Sequence, residues 1–237
     1  MTRHRLRIKV PIGHLDTVIE EPRGAPLGLA LIAHPHPLKG GSLDNKVAWT
    51  CARAALACGL VAVRPNFRGV GDSSGSFDHG IGEACDLLAL AASVSSHYGA
   101  LASQRRIPGA ALPPTTPLPS QEGRRICKAA LPPTTPLPWT LLGFSFGAYV
   151  QHRVARELEA RRLIMVAPAV SMYEFEENNI PTTIIHGTED EVIPYDAACT
   201  YAGLHGIPLI EIPGAGHFFH GRLRELQDRI EQLLRQT

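Results

Sequence analysis

Short apolar runs alternate with amphipathic stretches along almost the whole of this chain, and that alternation leaves few folds open to it. LGLALIA (27–33), LVAVRPN (60–66), WTLLGF (139–144), LIMVAP (163–168) and TTIIHG (182–187) are nearly continuous in apolar residues, as strands covered on both faces are. PLIEIPG (208–214) adds another strand, and the alternating residues 5–10 and 15–20 read as two opening strands. Between them lie helical patterns. Residues 44–59 offer an aspartate cap, apolar residues at helical spacing and a terminal glycine. Further helices are expected at 82–99, 146–160, about 196–205 and 221–236. The class is α/β: a mostly parallel central sheet with helices on both faces. Ligands of such sheets gather at the carboxyl ends of the strands, so the residues just after each strand carry the chemistry.

A chain of 237 residues, 44% hydrophobic, can bury a sizeable core and is read as a single domain over 1–237. Lysine plus arginine (23) nearly balance aspartate plus glutamate (22), so no net field draws the protein to nucleic acid or to acidic membranes. The opening MTRHRLRIKVPIG lacks the apolar centre of a signal peptide and no stretch is long enough to span a bilayer, so a cytoplasmic location is expected. The five cysteines are odd in number, scattered and free of CxxC spacing, which argues against a disulfide framework and a zinc site.

One segment breaks the alternation. RRIPGAALPPTTPLP (105–119) returns as RRICKAALPPTTPLP (124–138), a proline-rich duplication too short to build a solenoid. It is expected to form an exposed, polyproline-like insertion at 105–138, and a deletion of 105–137 is expected to leave folding and activity intact.

GFSFG (143–147) has the G-x-S-x-G form, with a buried strand before it and an amphipathic helix after. A serine hydroxyl is a weak nucleophile at neutral pH and needs a base, which needs an orienting acid. After a turn of this kind the chain order is serine, acid, histidine. Asp190 lies in the loop after TTIIHG, with Glu189, Glu191 and Asp196 as competing carboxylates, of which one is expected to point inward. His217 lies in the loop after PLIEIPG. Flanked by glycine, it suits a position over the site better than His220, which reads as a packing or hydrogen-bonding residue. In that scheme His217 takes the proton of Ser145 and Asp190 fixes the histidine tautomer.

With NFRGVG (66–71), GSFDHG (75–80), GFSFGAYV (143–150) and HFFH (217–220), the chain resembles the α/β-hydrolase superfamily, and within it a group of short bacterial members. The resemblance covers nearly the whole chain except the proline-rich repeat, and it implies Ser145, Asp190 and His217 as the catalytic triad. Acyl transfer also needs two N–H donors for the oxyanion. Phe146, after the nucleophile, supplies one. In AHPHPLKGG the prolines have no N–H, leaving His34, His36 or Leu38 for the other, and the resemblance selects His36. Gly40 and Gly41 are read as letting the backbone clear a substrate.

Two further patterns are set aside. HPHP as half of a metal site has no visible closing ligands. RGVGDSSGS lacks the spacing of a dinucleotide loop, and Arg68 and Asp78 are read as scaffold. The segment AVSMYEFEENNIP (169–181) is too short for a lid domain, so an open site is expected, with Tyr173 and Phe175 as candidates for one wall of an acyl pocket. The expectation is therefore a lidless, carboxylesterase-like serine hydrolase acting on a small-molecule acyl substrate, without cofactor or metal. A thioesterase, a small peptidase or a non-catalytic scaffold with a proline-rich arm are the rival readings; oligomeric state is not legible.

Overall fold

The computed structural model describes residues 2–104 and 137–236, so the proline-rich insertion expected at 105–138 lies almost wholly outside the described residues. The opening strands are a hairpin, β1 (Thr2–Val10) and β2 (Gly13–Glu21), paired antiparallel with Val10 opposite Gly13. Then come β3 (Gly28–Ala33), α1 (Lys46–Ala57), β4 (Leu60–Pro65), α2 (Ile81–Gln104), β5 (Trp139–Phe144) and α3 (Phe146–Val154). The chain closes with β6 (Ala160–Val166), β7 (Thr182–Gly187), α4 (Tyr195–His205), β8 (Leu209–Ile212) and α5 (Leu223–Arg235). The strands form one sheet of eight in the order β1-β2-β4-β3-β5-β6-β7-β8. Only the hairpin is antiparallel to its neighbours; from β4 to β8 every pairing is parallel.

Strand periodicity divides the core between the two faces. Leu29, Leu31 and Ala33 of β3 pack with Leu87, Leu90, Val94 and Val150 of α2 and α3. Ala30 and Ile32 point the other way, to Val47, Cys51 and Ala55 of α1 and Leu226 and Ile230 of α5. Each of the long apolar runs is thus buried on both sides, as its composition demands. The chain leaves β3 toward β4 and later returns to the other side of β3 as β5. The carboxyl ends of β3 and β5 therefore flank the switch point of the sheet, where ligands of such folds bind.

Several boundaries differ from the sequence reading. Asn45, not Asp44, caps α1: its Oδ1 accepts the N–H groups of Val47 at 2.9 Å and Ala48 at 3.3 Å, while Asp44 is exposed in the preceding turn. The third helix stops at Val154, residues 155–159 turn, and Ala160 begins β6 opposite Trp139. Pairing with β5 there overrides the helical propensity of RELEA. The α2 helix runs past its expected end, to Gln104. Cys51, Cys58 and Cys199 are free, but Cys85 is disulfide-bonded, a bridge that cysteine spacing did not indicate. Among the described residues no helix is long and apolar enough to cross a membrane.

Candidate active site

Ser145 sits between β5 and α3 with φ 55° and ψ −118°, a left-handed conformation that side chains rarely adopt. Two glycines make the turn possible by close approach. A Cβ on Gly143 would lie 2.4 Å from the Gly147 carbonyl oxygen, and one on Gly147 would lie 2.3 Å from that of Ala33. Helix α3 thereby packs against the end of β3. The Ser145 N–H donates to Val166 O at 2.9 Å, fixing the turn to β6.

The loops after β7 and β8 meet over this turn. Gly187 allows the meeting, since a Cβ there would fall 2.2 Å from the Ala215 carbonyl oxygen. His217 Nε2 lies 3.1 Å from Ser145 Oγ, and His217 Nδ1 lies 2.8 Å from Asp190 Oδ2. All three side chains are buried, and the imidazole rests on the Phe144 ring at 5.0 Å between centroids. Asp190 Oδ1 accepts the N–H groups of Val192 at 2.9 Å and Ile193 at 2.7 Å. Burial opposes ionisation of Asp190, but the hydrogen bond from His217 and those from the Ile193 and Val192 amides outweigh it and hold the carboxyl below its usual range. An ionised Asp190 only accepts, so the partners assign the His217 proton to Nδ1 and leave the Nε2 lone pair facing the serine hydroxyl.

The competing carboxylates are turned to solvent: Glu189, Glu191 and Asp196 are exposed. Glu191 has a task that its sequence context did not signal, accepting the His217 backbone N–H at 3.1 Å. His220 is exposed and touches the Phe218 ring.

The loop after β3 faces the same point. His34 is fully buried, its Nε2 accepting the Phe67 N–H at 2.9 Å while Nδ1 donates to Pro35 O at 2.7 Å. With both nitrogens engaged inside the protein, His34 has no lone pair left for a metal, and burial pushes its pKa down to about 4. Asn66 ties the loops together, donating to Asp16 Oδ2 at 2.9 Å and accepting the Leu43 N–H at 2.8 Å. Leu38 N–H is taken by His36 Nδ1 at 3.2 Å, which removes Leu38 from the three candidate oxyanion donors. The His36 ring lies 5.0 Å from that of Phe146, bringing the β3 loop beside the start of α3. Phe146 is the first residue of α3, where amides have no intrahelical acceptor. Gly41 does not serve to clear a substrate: a Cβ there would meet the Pro35 carbonyl oxygen at 2.1 Å, so its smallness closes the turn on itself.

Arg68 bonds Asp86 at 2.7 Å and Asp78 at 3.5 Å and packs across Gly82, a scaffold arrangement. Tyr173 stands beside the site, its ring 5.4 Å from Phe146. Phe175 lies farther along α3, buried against Tyr149, His152 and Tyr201. Residues 167–181, between β6 and β7, contain no helix, so no lid stands over the site from this connection.

No family model matches the chain. An uncharacterized protein, RP471, of Rickettsia prowazekii is 29% identical to this chain over 220 residues, covering 87% of this chain and 78% of that one. Among solved structures, an alpha-beta serine hydrolase homologue from Coxiella burnetii is 34% identical, with 99% of this chain and 98% of that one covered and a TM-score of 0.78. XC6422 from Xanthomonas campestris, described as a serine hydrolase without lid, is 31% identical over 98% and 94% of the two chains, with a TM-score of 0.79. At that identity and coverage, and with the same architecture, the chain belongs to the α/β serine hydrolases, among their short, lidless members.

Proposed function

We propose that the protein hydrolyses small carboxylic esters through an acyl-enzyme, with Ser145 as nucleophile, His217 as general base and acid, and Asp190 as the residue that orients it. The observation that carries this reading is the continuous buried relay from Ser145 Oγ through His217 to Asp190, with links of 3.1 and 2.8 Å. As Oγ attacks the ester carbonyl its proton passes to His217 Nε2, and the imidazolium so formed is stabilised by Asp190. The carbonyl oxygen becomes an oxyanion, received by the N–H groups of Phe146 and His36. Collapse of the tetrahedral species breaks the C–O bond to the alcohol, which leaves with the proton from Nε2. Water, deprotonated by the same nitrogen, then releases the acid and restores Ser145.

The aromatic neighbourhood supports an apolar acyl portion. The rings of His36, Phe77 and Tyr173 all lie within 5.6 Å of the Phe146 ring, on the side where the acyl group would rest. The absence of a helix in 167–181 favours substrates met from solvent over long chains that need enclosure. Nucleic acids and membranes are not proposed as partners, and no cofactor enters the scheme.

The test is a substrate panel of p-nitrophenyl acetate to decanoate, acyl-coenzyme A thioesters and peptide anilides, with Ser145→Ala as control. Turnover is expected to be fastest on short esters and to fall by about 10³-fold or more in the variant. Faster turnover of thioesters or anilides would reassign the substrate class.

A further inference from the structure

Besides the relay, a second imidazole reaches the same carboxylate. His186, near the end of β7 and four residues before Asp190, is fully buried, and its Nε2 lies 3.0 Å from the carbonyl oxygen of Ile193. A carbonyl only accepts, so this nitrogen carries the hydrogen. The same nitrogen stands 3.4 Å from Asp190 Oδ2, the oxygen that accepts His217 Nδ1–H at 2.8 Å. Its N–H is donated to Ile193 O, and the triad carboxylate stands beside that bond without accepting it. The other ring nitrogen, Nδ1, is buried without a hydrogen-bond partner among the described residues.

Ile193 is held from both ends. Its N–H donates to Asp190 Oδ1 at 2.7 Å while its carbonyl accepts from His186. The loop from 186 to 193 is closed around Asp190 by these bonds, and His186 is the strand-anchored member. We propose, resting on the triad reading above, that His186 is a positioning residue: as a neutral Nε2–H imidazole it fixes the Asp190 loop through Ile193 without bringing a second positive charge to the carboxylate.

Neutrality matters because a cationic His186 would compete with the His217 imidazolium for the same oxygen. The partnerless Nδ1 is what prevents it, since a proton there would be buried with nothing to accept it. Burial lowers the affinity of the ring for a second proton, outweighing the opposing pull of Asp190. The titratable groups around it are Asp190 and His217, with the Tyr195 ring at 6.1 Å and Glu211, its partner in β8, bonded to the Tyr195 hydroxyl at 2.7 Å. Losing His186 should free the Asp190 loop and weaken the hold of Asp190 on the His217 imidazolium, so the serine reacts more slowly.

Two measurements test this. In ¹⁵N-histidine spectra of the full-length protein, an imidazole besides His152, which also donates from Nε2, should keep the Nε2–H, Nδ1-bare tautomer from pH 8 to pH 5 and disappear in His186→Gln. Rates of fluorophosphonate labelling should place His186→Gln, whose amide nitrogen reaches the Nε2 position, near wild type. His186→Leu should label about tenfold to a hundredfold more slowly, from a loosened Asp190. A merely structural histidine would lower the melting temperature of His186→Leu and leave the labelling rate of the folded protein unchanged; that outcome overturns the proposal. So does a wild-type spectrum in which His186 carries its proton on Nδ1 or titrates between pH 8 and 5, and this holds even if His186→Leu does not fold. An unlabelled wild type would count against the triad reading itself, while the spectrum still decides the state of His186.

Discussion

Ser145 occupies a backbone conformation that glycine would adopt without strain, and it does so at φ 55° and ψ −118°. Strain held at a candidate nucleophile predicts a trade between stability and activity. Ser145→Gly should abolish labelling and hydrolysis yet raise unfolding stability by about 1 kcal/mol, measured by urea denaturation; an equal or lower stability would show that the turn is relaxed. Among the described residues three more non-glycine residues have positive φ, His79, Ala167 and Phe219, and all lie in the loops at this edge of the sheet. The meeting of Ser145, Asp190 and His217, and the glycines around the serine, could be read from the chain because each occupies a short offset from an apolar strand. Glu191 and His186 could not. A solvent-exposed glutamate that caps a backbone N–H looks like any loop carboxylate, and a buried histidine next to a strand end carries no periodic signal.

Elements were legible where composition alone decides burial and less so at their ends. Each of β3, β4, β5 and β7 lies within a residue or so of its apolar run, since a strand covered on both faces takes apolar side chains at most of its positions. Helix ends depend on single hydrogen bonds and on competition from the sheet. For α1 the deciding bonds are those accepted by Asn45. Asn45→Ala should therefore cost about 1 kcal/mol of stability while Asp44→Ala costs close to nothing, a difference readable as a shift in denaturation midpoint. Equal effects would return the cap to Asp44. For α3 the deciding competitor is β5, whose pairing with Ala160 and the residues after it ends the helix early.

At the scale of the molecule, the two half-cores meet at a sheet whose switch point lies between β3 and β5, and the loops after β3 to β8 converge there. Several of those loops and their supports are held by buried, neutral histidines. Burial lowers the pKa of His34 to about 4 and of His152 to about 4, against an ordinary 6.5, and lowers that of His186 as well. Above pH 6.5 neither the folded nor the unfolded chain protonates these rings, and their contribution to stability is complete. As the pH falls from 6.5 toward 4, the unfolded chain takes up protons that the folded chain refuses, and stability is lost. For a single histidine moved from 6.5 to about 4 the loss is on the order of 3 kcal/mol. Urea denaturation at pH 7.5, 5.5 and 4.5 should show a steep decline, reduced in His34→Gln relative to that variant's own value at pH 7.5; a flat profile would mean that these rings are hydrated or paired in the folded state.

The activation of Ser145 is tested most directly by intact-mass measurement after exposure to a fluorophosphonate probe, with wild type, Ser145→Ala and His217→Ala treated in parallel. One adduct on wild type and none on either variant is the predicted result. A folded wild-type protein that stays unlabelled, or a Ser145→Ala variant that labels as readily, would contradict it.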